Sequence, residues 1–228
     1  SEQYVELHCH SNYSFKEGAS SIDELITRAI ELEYPALALT DHDNLCGALQ
    51  FARTARSFGI RPITGSEITL KDGSHLTLLV ETHKGYANLC HLLSHARFDG
   101  SRIFPRLDIN RISEHTEGLI LLTGCRTGRL SKLACEGNMV KVEAQLGQYL
   151  DLFGSSNVFV ELQRNLIHTD KLRNKHLIEV ARRLGAPVVA TNNVHYHARE
   201  RKRLQDCLVA IQHNKTLEEV VPLLKPND

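Results

Sequence analysis

Residues 5–14 read V-E-L-H-C-H-S-N-Y-S, and residues 36–43 read A-L-A-L-T-D-H-D. His8 and His10 flank Cys9 at the close of a short apolar run. Residues i and i+2 of an extended chain face the same way, so both imidazoles are presented together. Asp41 and His42 close the next apolar run, and Glu17 lies in the loop between them. Imidazole and carboxylate at strand ends are the donors a divalent-metal site needs. The chain has 13 histidines, so chance pairs are common, and scattered polar loop residues are an equal reading unless the pattern recurs.

Working outward, Ser21-Ile22-Asp23-Glu24 is a capping-box pattern, followed by Leu25, Ile26, Ala29, Ile30 and Leu32 at helical spacing. This predicts a helix over 21–33. Pro35 stops it, and residues 36–40 are apolar throughout, as a strand buried on both faces should be. Residues 44–58 predict a second helix stopped by Gly59, and 60–67 a strand ending in G-S-E. Lys71-Asp72-Gly73 is a turn signal between two strand-like runs, predicting a hairpin rather than a crossover helix. Further helices are predicted over 85–98, 108–114, 127–136, 139–153, 168–184 and 198–213, and strands over 118–123, 157–163 and 187–191. Seven strands mostly separated by helices argue for an α/β barrel with mostly parallel strands.

The strand ends repeat the opening pattern. The first strand delivers His8 and His10, the second His42, the third Glu67, the fifth Cys125, and the seventh Asn193 and His195. In a barrel of parallel strands these ends gather at the C-terminal face, where barrel active sites sit. Singly, Glu67 reads as a cap, Cys125 as a core thiol and His195 as a carbonyl partner; ligand-type residues on so many strand ends are harder to dismiss. The donors exceed what one ion takes, since zinc uses four positions and catalytic sites keep one open. Two or three divalent ions follow, with Zn, Mn and Fe equally suited to the mixed donors. Such ions lower the pKa of bound water and clamp the oxygens of a phosphoryl centre, which makes phosphoester hydrolysis the natural chemistry.

Composition sets the bounds. A chain of 228 residues at 42% apolar content can bury one large core, and one domain over 1–213 is favoured. Residues 214–228, with Pro222 and Pro226, read as a tail or a connection to further protein. Lys+Arg and Asp+Glu both total 27, so no global basic charge grips phosphate backbones. No apolar run approaches the ~20 residues of a membrane span, and no signal-peptide pattern opens the chain. Six cysteines in no C-x-x-C arrangement read as reduced thiols of a cytoplasmic protein without membrane contact. No Gly-rich nucleotide loop and no Ser-His-Asp order stands out.

The stretches Y-V-E-L-H-C-H-S-N-Y-S-F, A-L-T-D-H-D-N-L-C-G, G-S-E, L-T-G-C-R-T-G and A-T-N-N-V-H-Y resemble the polymerase and histidinol phosphatase (PHP) domain family. The likeness is greatest to the branch that opens bacterial DNA polymerase III alpha-type subunits. L-Q-D-C-L-V-A-I-Q-H-N-K-T-L-E-E resembles the close of that domain, and L-L-K-P-N its error-prone branch. The resemblance implies a distorted (β/α)7 barrel, a trinuclear metal site, and phosphoesterase or 3′–5′ exonuclease activity in DNA replication or repair. Carried over by position, it implies metal ligands at His8, His10, Glu17, His42, Glu67, His75, Cys125, Asn193 and His195, with His8, His10, Glu67 and His195 central to catalysis. Glu17 stands where the family generally has Asp. Asn193 also replaces an Asp, and an amide oxygen is a neutral and weaker ligand. His75 begins a strand; the hairpin would return it to Glu67 and carry His83 to the far end. Arg126, Arg129 and Arg164 follow strand ends, where a guanidinium would hold a phosphate oxygen, although surface arginines without that role are the commoner case. Asp41 is a candidate partner fixing the His42 tautomer.

Three readings follow. The first is a metal-dependent phosphoesterase acting on a phosphate-containing substrate such as single-stranded or 3′-terminal DNA, with a polymerase core in the same chain or complex. The second is a stand-alone PHP phosphatase on a small phosphorylated metabolite or nucleotide. The third is a non-catalytic scaffold supporting a polymerase, to which the neutral Asn193 points.

Overall fold

The computed structural model describes residues 4–224. In chain order the elements are α1 (Ile22–Glu31), β1 (Ala36–Leu39), α2 (Ala48–Ser57), β2 (Arg61–Thr69), β3 (His75–Val80), α3 (His83–Asp99) and a 3-10 helix, Ile109–Glu114. There follow β4 (Leu119–Leu122), α4 (Arg129–Cys135), α5 (Met139–Phe153), β5 (Val158–Leu162), α6 (Asp170–Leu184) and β6 (Val188–Ala190). The chain closes with α7 (Lys202–His213), α8 (Leu217–Val220) and a short 3-10 turn. The described residues divide into two compact units, 4–64 with 192–224, and 65–191.

In the first unit β1 pairs in parallel with the opening half of β2, Ala36 opposite Arg61 and Leu39 opposite Thr64. Residues 5–10 do not form the continuous strand expected; they make only isolated bridges, Glu6 to Leu37 and Cys9 to Val194. The physical reason is that side chains take part of the ladder's work. The His8 N–H donates to Glu6 Oε1 and the Cys9 N–H to Thr40 Oγ1. The core gathers Ile22, Leu25, Ile26 and Ala29 of α1 with Leu37, Leu39, Phe51, Ala55 and Ile60. α1 begins one residue after the predicted start, with Ser21 as its cap. α2 begins four residues later than predicted, because Asn44 turns the chain by donating to the Tyr13 and His42 carbonyls and accepting from the Cys46 N–H. Beyond α7, α8 carries its own capping box, Thr216 with Glu219, and Val220 packs on Val209 and Ala210. Residues 225–228 of the expected tail lie outside the described residues.

In the second unit the closing half of β2 pairs antiparallel with β3, and β3 antiparallel with β4. β4 to β5 and β5 to β6 are parallel. The hairpin expected at Lys71-Asp72-Gly73 is there: Thr69 faces His75, and Gly73 at φ 78 makes the turn. Buried Leu76, Leu78, Leu89, Leu92, Leu121, Val142, Leu146, Val158 and Val160 supply the apolar interior. The α/β class with mostly parallel pairing is the one expected; among the described residues six strands are assigned rather than seven, since the first is reduced to bridges. No helix among the described residues is long and apolar enough to cross a membrane, and all six cysteines are free thiols.

The α1 cap gives a direct test. The Ser21 side chain accepts from the Glu24 N–H, and the Ser21 N–H donates to the Glu24 carboxylate at 2.9 Å. Ser21→Ala should lower unfolding stability by about 1 kcal/mol, read from urea denaturation; an unchanged midpoint would contradict the assigned cap.

Candidate functional site

In the first unit the imidazoles converge. The ring of His10 lies 5.2 Å from His8, 6.3 Å from His42 and 4.6 Å from His195, centroid to centroid. His8 and His10 are wholly buried and His195 is 1% exposed. His195 Nδ1 lies 2.7 Å from the Asn193 carbonyl, which can only accept, so Nδ1 carries the proton and Nε2 the lone pair. His42 Nδ1 is 3.0 Å from Glu17 Oε2, and its Nε2 is 3.4 Å from Asp43 Oδ2. The Asn193 amide oxygen sits 3.1 Å from His10 Nε2, on a backbone at φ 53 that Asn tolerates better than most residues.

The loop from Ser11 to Glu17 is held by Asp41. Its carboxylate accepts from the Ser11 N–H, Ser11 Oγ and Ser14 Oγ, each at 2.7 Å. Ser14 Oγ in turn meets His10 Nδ1 at 3.1 Å and accepts the His42 N–H at 3.0 Å. Asp41 thus reaches both histidines through Ser14. Gly18 is needed here because a Cβ would lie 1.8 Å from the Ser11 carbonyl oxygen. Ser14 and Asp43 are the residues missed from sequence. Asp43 was visible in the D-H-D triplet, and Ser14 had no signal. Glu6, buried beneath, holds the His8 and Asn192 N–H groups. Burial pushes its carboxyl up, and hydrogen bonds from Tyr4, His8 and Asn192 pull it back.

In the second unit Glu67, His75 and Cys125 come together. Glu67 Oε1 is 3.1 Å from His75 Nδ1 and accepts from Cys125 Sγ at 3.3 Å. Thr127 Oγ1 completes the ring, 2.9 Å from His75 Nδ1 and 2.8 Å from Cys125 Sγ. The antiparallel register explains the approach: Glu67 opposes Thr77, two residues from His75 on the same face. Glu67 lies inside β2, two residues short of its end, rather than closing it, because the hairpin prolongs the strand to Thr69. Gly124, at φ 95, lets the β4 exit pass the hairpin, since a Cβ there would lie 2.5 Å from the His75 carbonyl oxygen. Thr127 and buried Glu161 were not found from sequence; the inward phase of V-E-L in β5 was the available signal for Glu161.

The arginines are dispersed in role. Arg126 is exposed. Arg129 pairs with Asp72 of the hairpin turn at 3.5 Å. Arg164 lines a groove of ≈ 930 Å³ beside Lys171, Lys175 and Arg182 on α6. His83 opens α3 behind its Thr82 cap and Tyr13 packs against the apolar core, so neither joins the groups above.

These two groups of donors, on an α/β fold, define a protein of the PHP class. The chain belongs to the PHP domain family, whose profile matches residues 6–165. It is similar to a protein named error-prone DNA polymerase from Symbiobacterium thermophilum, 36% identical over 241 residues, covering 99% of this chain and 22% of that protein. It is also similar to a DNA polymerase III subunit alpha from Treponema pallidum, 39% identical over 226 residues, covering 93% of this chain and 19% of that protein. The chain thus spans about a fifth of the length of these relatives. Its fold matches that of a candidate metal-dependent phosphoesterase from Bifidobacterium adolescentis, with a TM-score of 0.59 at 13% identity over 91% of this chain and 97% of that one.

Burial, and then the Glu67 carboxylate, pushes the Cys125 thiol up. Cys46 and Cys135 are exposed. In chelator-stripped protein at pH 8, iodoacetamide should therefore label Cys46 and Cys135 well before Cys125, as read by peptide mass mapping; equal labelling rates would contradict the burial and protonation assigned to Cys125.

Proposed function

We propose that this chain is a metal-dependent phosphoesterase that hydrolyses phosphodiester or phosphomonoester bonds with two or three divalent ions. The carrying observation is the group of four imidazoles around His10, three of them buried to 1% exposure or less, edged by the Glu17 carboxylate. An apolar core has no use for such a group, and a set of imidazole lone pairs beside a carboxylate suits Zn, Mn or Fe. In the first unit the ions would be held by His8, His10, Glu17, His42, Asn193 and His195, and in the second by Glu67, His75 and Cys125. The ions would supply Lewis-acid polarisation of the phosphoryl oxygens and an activated water. The chain's own part is orientation. Ser14, set by Asp41, fixes His10 and the backbone of His42, and the Asn193 carbonyl fixes which nitrogen of His195 is bare.

Membership of the PHP family and similarity to polymerase subunits support a nucleic-acid substrate, such as single-stranded or 3′-terminal DNA, over a free metabolite. A scaffold role is favoured by one feature, the uncharged Asn193 against His10. Arg126 and Arg164 are proposed to contact substrate phosphate. Arg129 is the weaker candidate, because Asp72 already engages it.

Two experiments decide. The double variant His8→Ala/His10→Ala should lower hydrolysis of p-nitrophenyl phosphate by at least about 100-fold, exceeding the usual loss for a ligand's hydrogen-bond partner, and should lower metal content by elemental analysis. Wild-type activity at wild-type metal content would sink the assignment. Asn193→Asp should tighten Mn²⁺ or Zn²⁺ uptake by stripped protein, by about tenfold or more for one ion, because a carboxylate adds charge where the amide has none. Unchanged uptake with no detectable hydrolysis would favour the scaffold.

A further inference from the structure

Away from the residues discussed so far, three histidines of the second unit gather on the surface. His91 and His95 stand one helical turn apart on α3, and residues four apart share a helix face. His115, which ends the 3-10 helix Ile109–Glu114, brings its ring against both, 5.2 Å from His91 and 5.7 Å from His95. Two imidazoles bound tetrahedrally to one ion through N–metal bonds of about 2.0–2.1 Å hold their ring centres roughly 5 Å apart. The ring spacing is close to that value, although His91 and His115 lie stacked with their planes 14° apart, so the side chains must rotate to bring three nitrogens to one point. His91 is exposed and His95 and His115 are half-buried, so such rotation meets little resistance.

The protonation of His115 is set from behind. Asn88 is 3% exposed, and its Nδ2 donates to the Glu117 carbonyl at 2.8 Å, which fixes which way round the amide lies. Its Oδ1 then faces His115 Nδ1 at 3.4 Å. An amide oxygen only accepts, so Nδ1 carries the proton and the lone pair is left on Nε2. A ligating histidine is commonly oriented in this way, by a partner on its other nitrogen. An i, i+4 histidine pair on a helix with a third imidazole from another element is also a donor set that suits zinc, copper or nickel.

We propose that His91, His95 and His115 bind one divalent ion of the zinc, copper or nickel type, joining α3 to the segment before β4. Three protein ligands leave a fourth position for water or another small ligand.

Zinc titration tests this. Untagged protein, stripped with chelator, is titrated with ZnCl₂ by calorimetry beside His91→Ala/His95→Ala, with circular dichroism confirming the fold and His91→Gln as the milder variant. Wild type should take up one zinc per chain more than the double variant, and His91→Gln should weaken that one binding event by about tenfold or more. Excess zinc should also raise the melting temperature of wild type more than that of the variants, because an ion bound to the native state stabilises it. Equal zinc stoichiometry in wild type and double variant would overturn the proposal, as would no zinc uptake by either. Zinc-dependent dimerisation lost in the double variant would overturn it too, since the imidazoles would then be bridging molecules. His8→Ala/His10→Ala, titrated in parallel, loses the ions of the proposed phosphoesterase site instead, so failure of one reading is seen separately from failure of the other.

Discussion

The first unit depends on one buried carboxylate. Asp41 is 1% exposed and accepts three hydrogen bonds from the segment that follows His10. A carboxyl group out of water is costly unless its oxygens are engaged, so Asp41 and the Ser11–Ser14 turn are stable only together. That mutual requirement explains why a polar loop can sit beside an apolar core without collapsing into it. It also converts a flexible serine hydroxyl into a fixed point from which one histidine ring and one backbone N–H are aimed.

The second unit solves a similar problem with different means. A hairpin sets Glu67 and His75 on one face of two antiparallel strands, and a glycine with a left-handed backbone lets Cys125 approach. Here regular hydrogen-bond register does the positioning, and Thr127 links thiol and imidazole. Where the first unit places side chains from irregular backbone tied by polar side chains, the second places them from ladder geometry.

Much of this was legible in the sequence. The Ser21-Glu24 capping box, the Lys71-Gly73 turn and the α5 boundaries follow from local rules, and the structure has each of them. What local rules could not give is where a side chain replaces a backbone partner. The expected strand over residues 5–10 dissolves into bridges because Glu6 and Thr40 accept its N–H groups. α2 starts late because Asn44 bends the chain first. The metal-type residues His8, His10, His42, Glu67, Cys125 and His195 were visible from residue type and position. The residues that hold them, Ser14 and Thr127 above all, were not, because a serine or threonine in a loop carries no periodicity and its partner is distant in sequence.

The hairpin has a consequence for the order of events when the chain folds. Glu67 and His75 are eight residues apart, whereas His10 and Asn193 are separated by 183. If the intervening chain is treated as flexible, closing the longer loop costs roughly 3 kcal/mol more in entropy. During synthesis His8 and His10 leave the ribosome well before Asn193 and His195. The Glu67–His75 pair can therefore meet before Asn193 and His195 are made, so a nascent chain passes through a stage in which one donor pair is assembled and the cluster around His10 is incomplete.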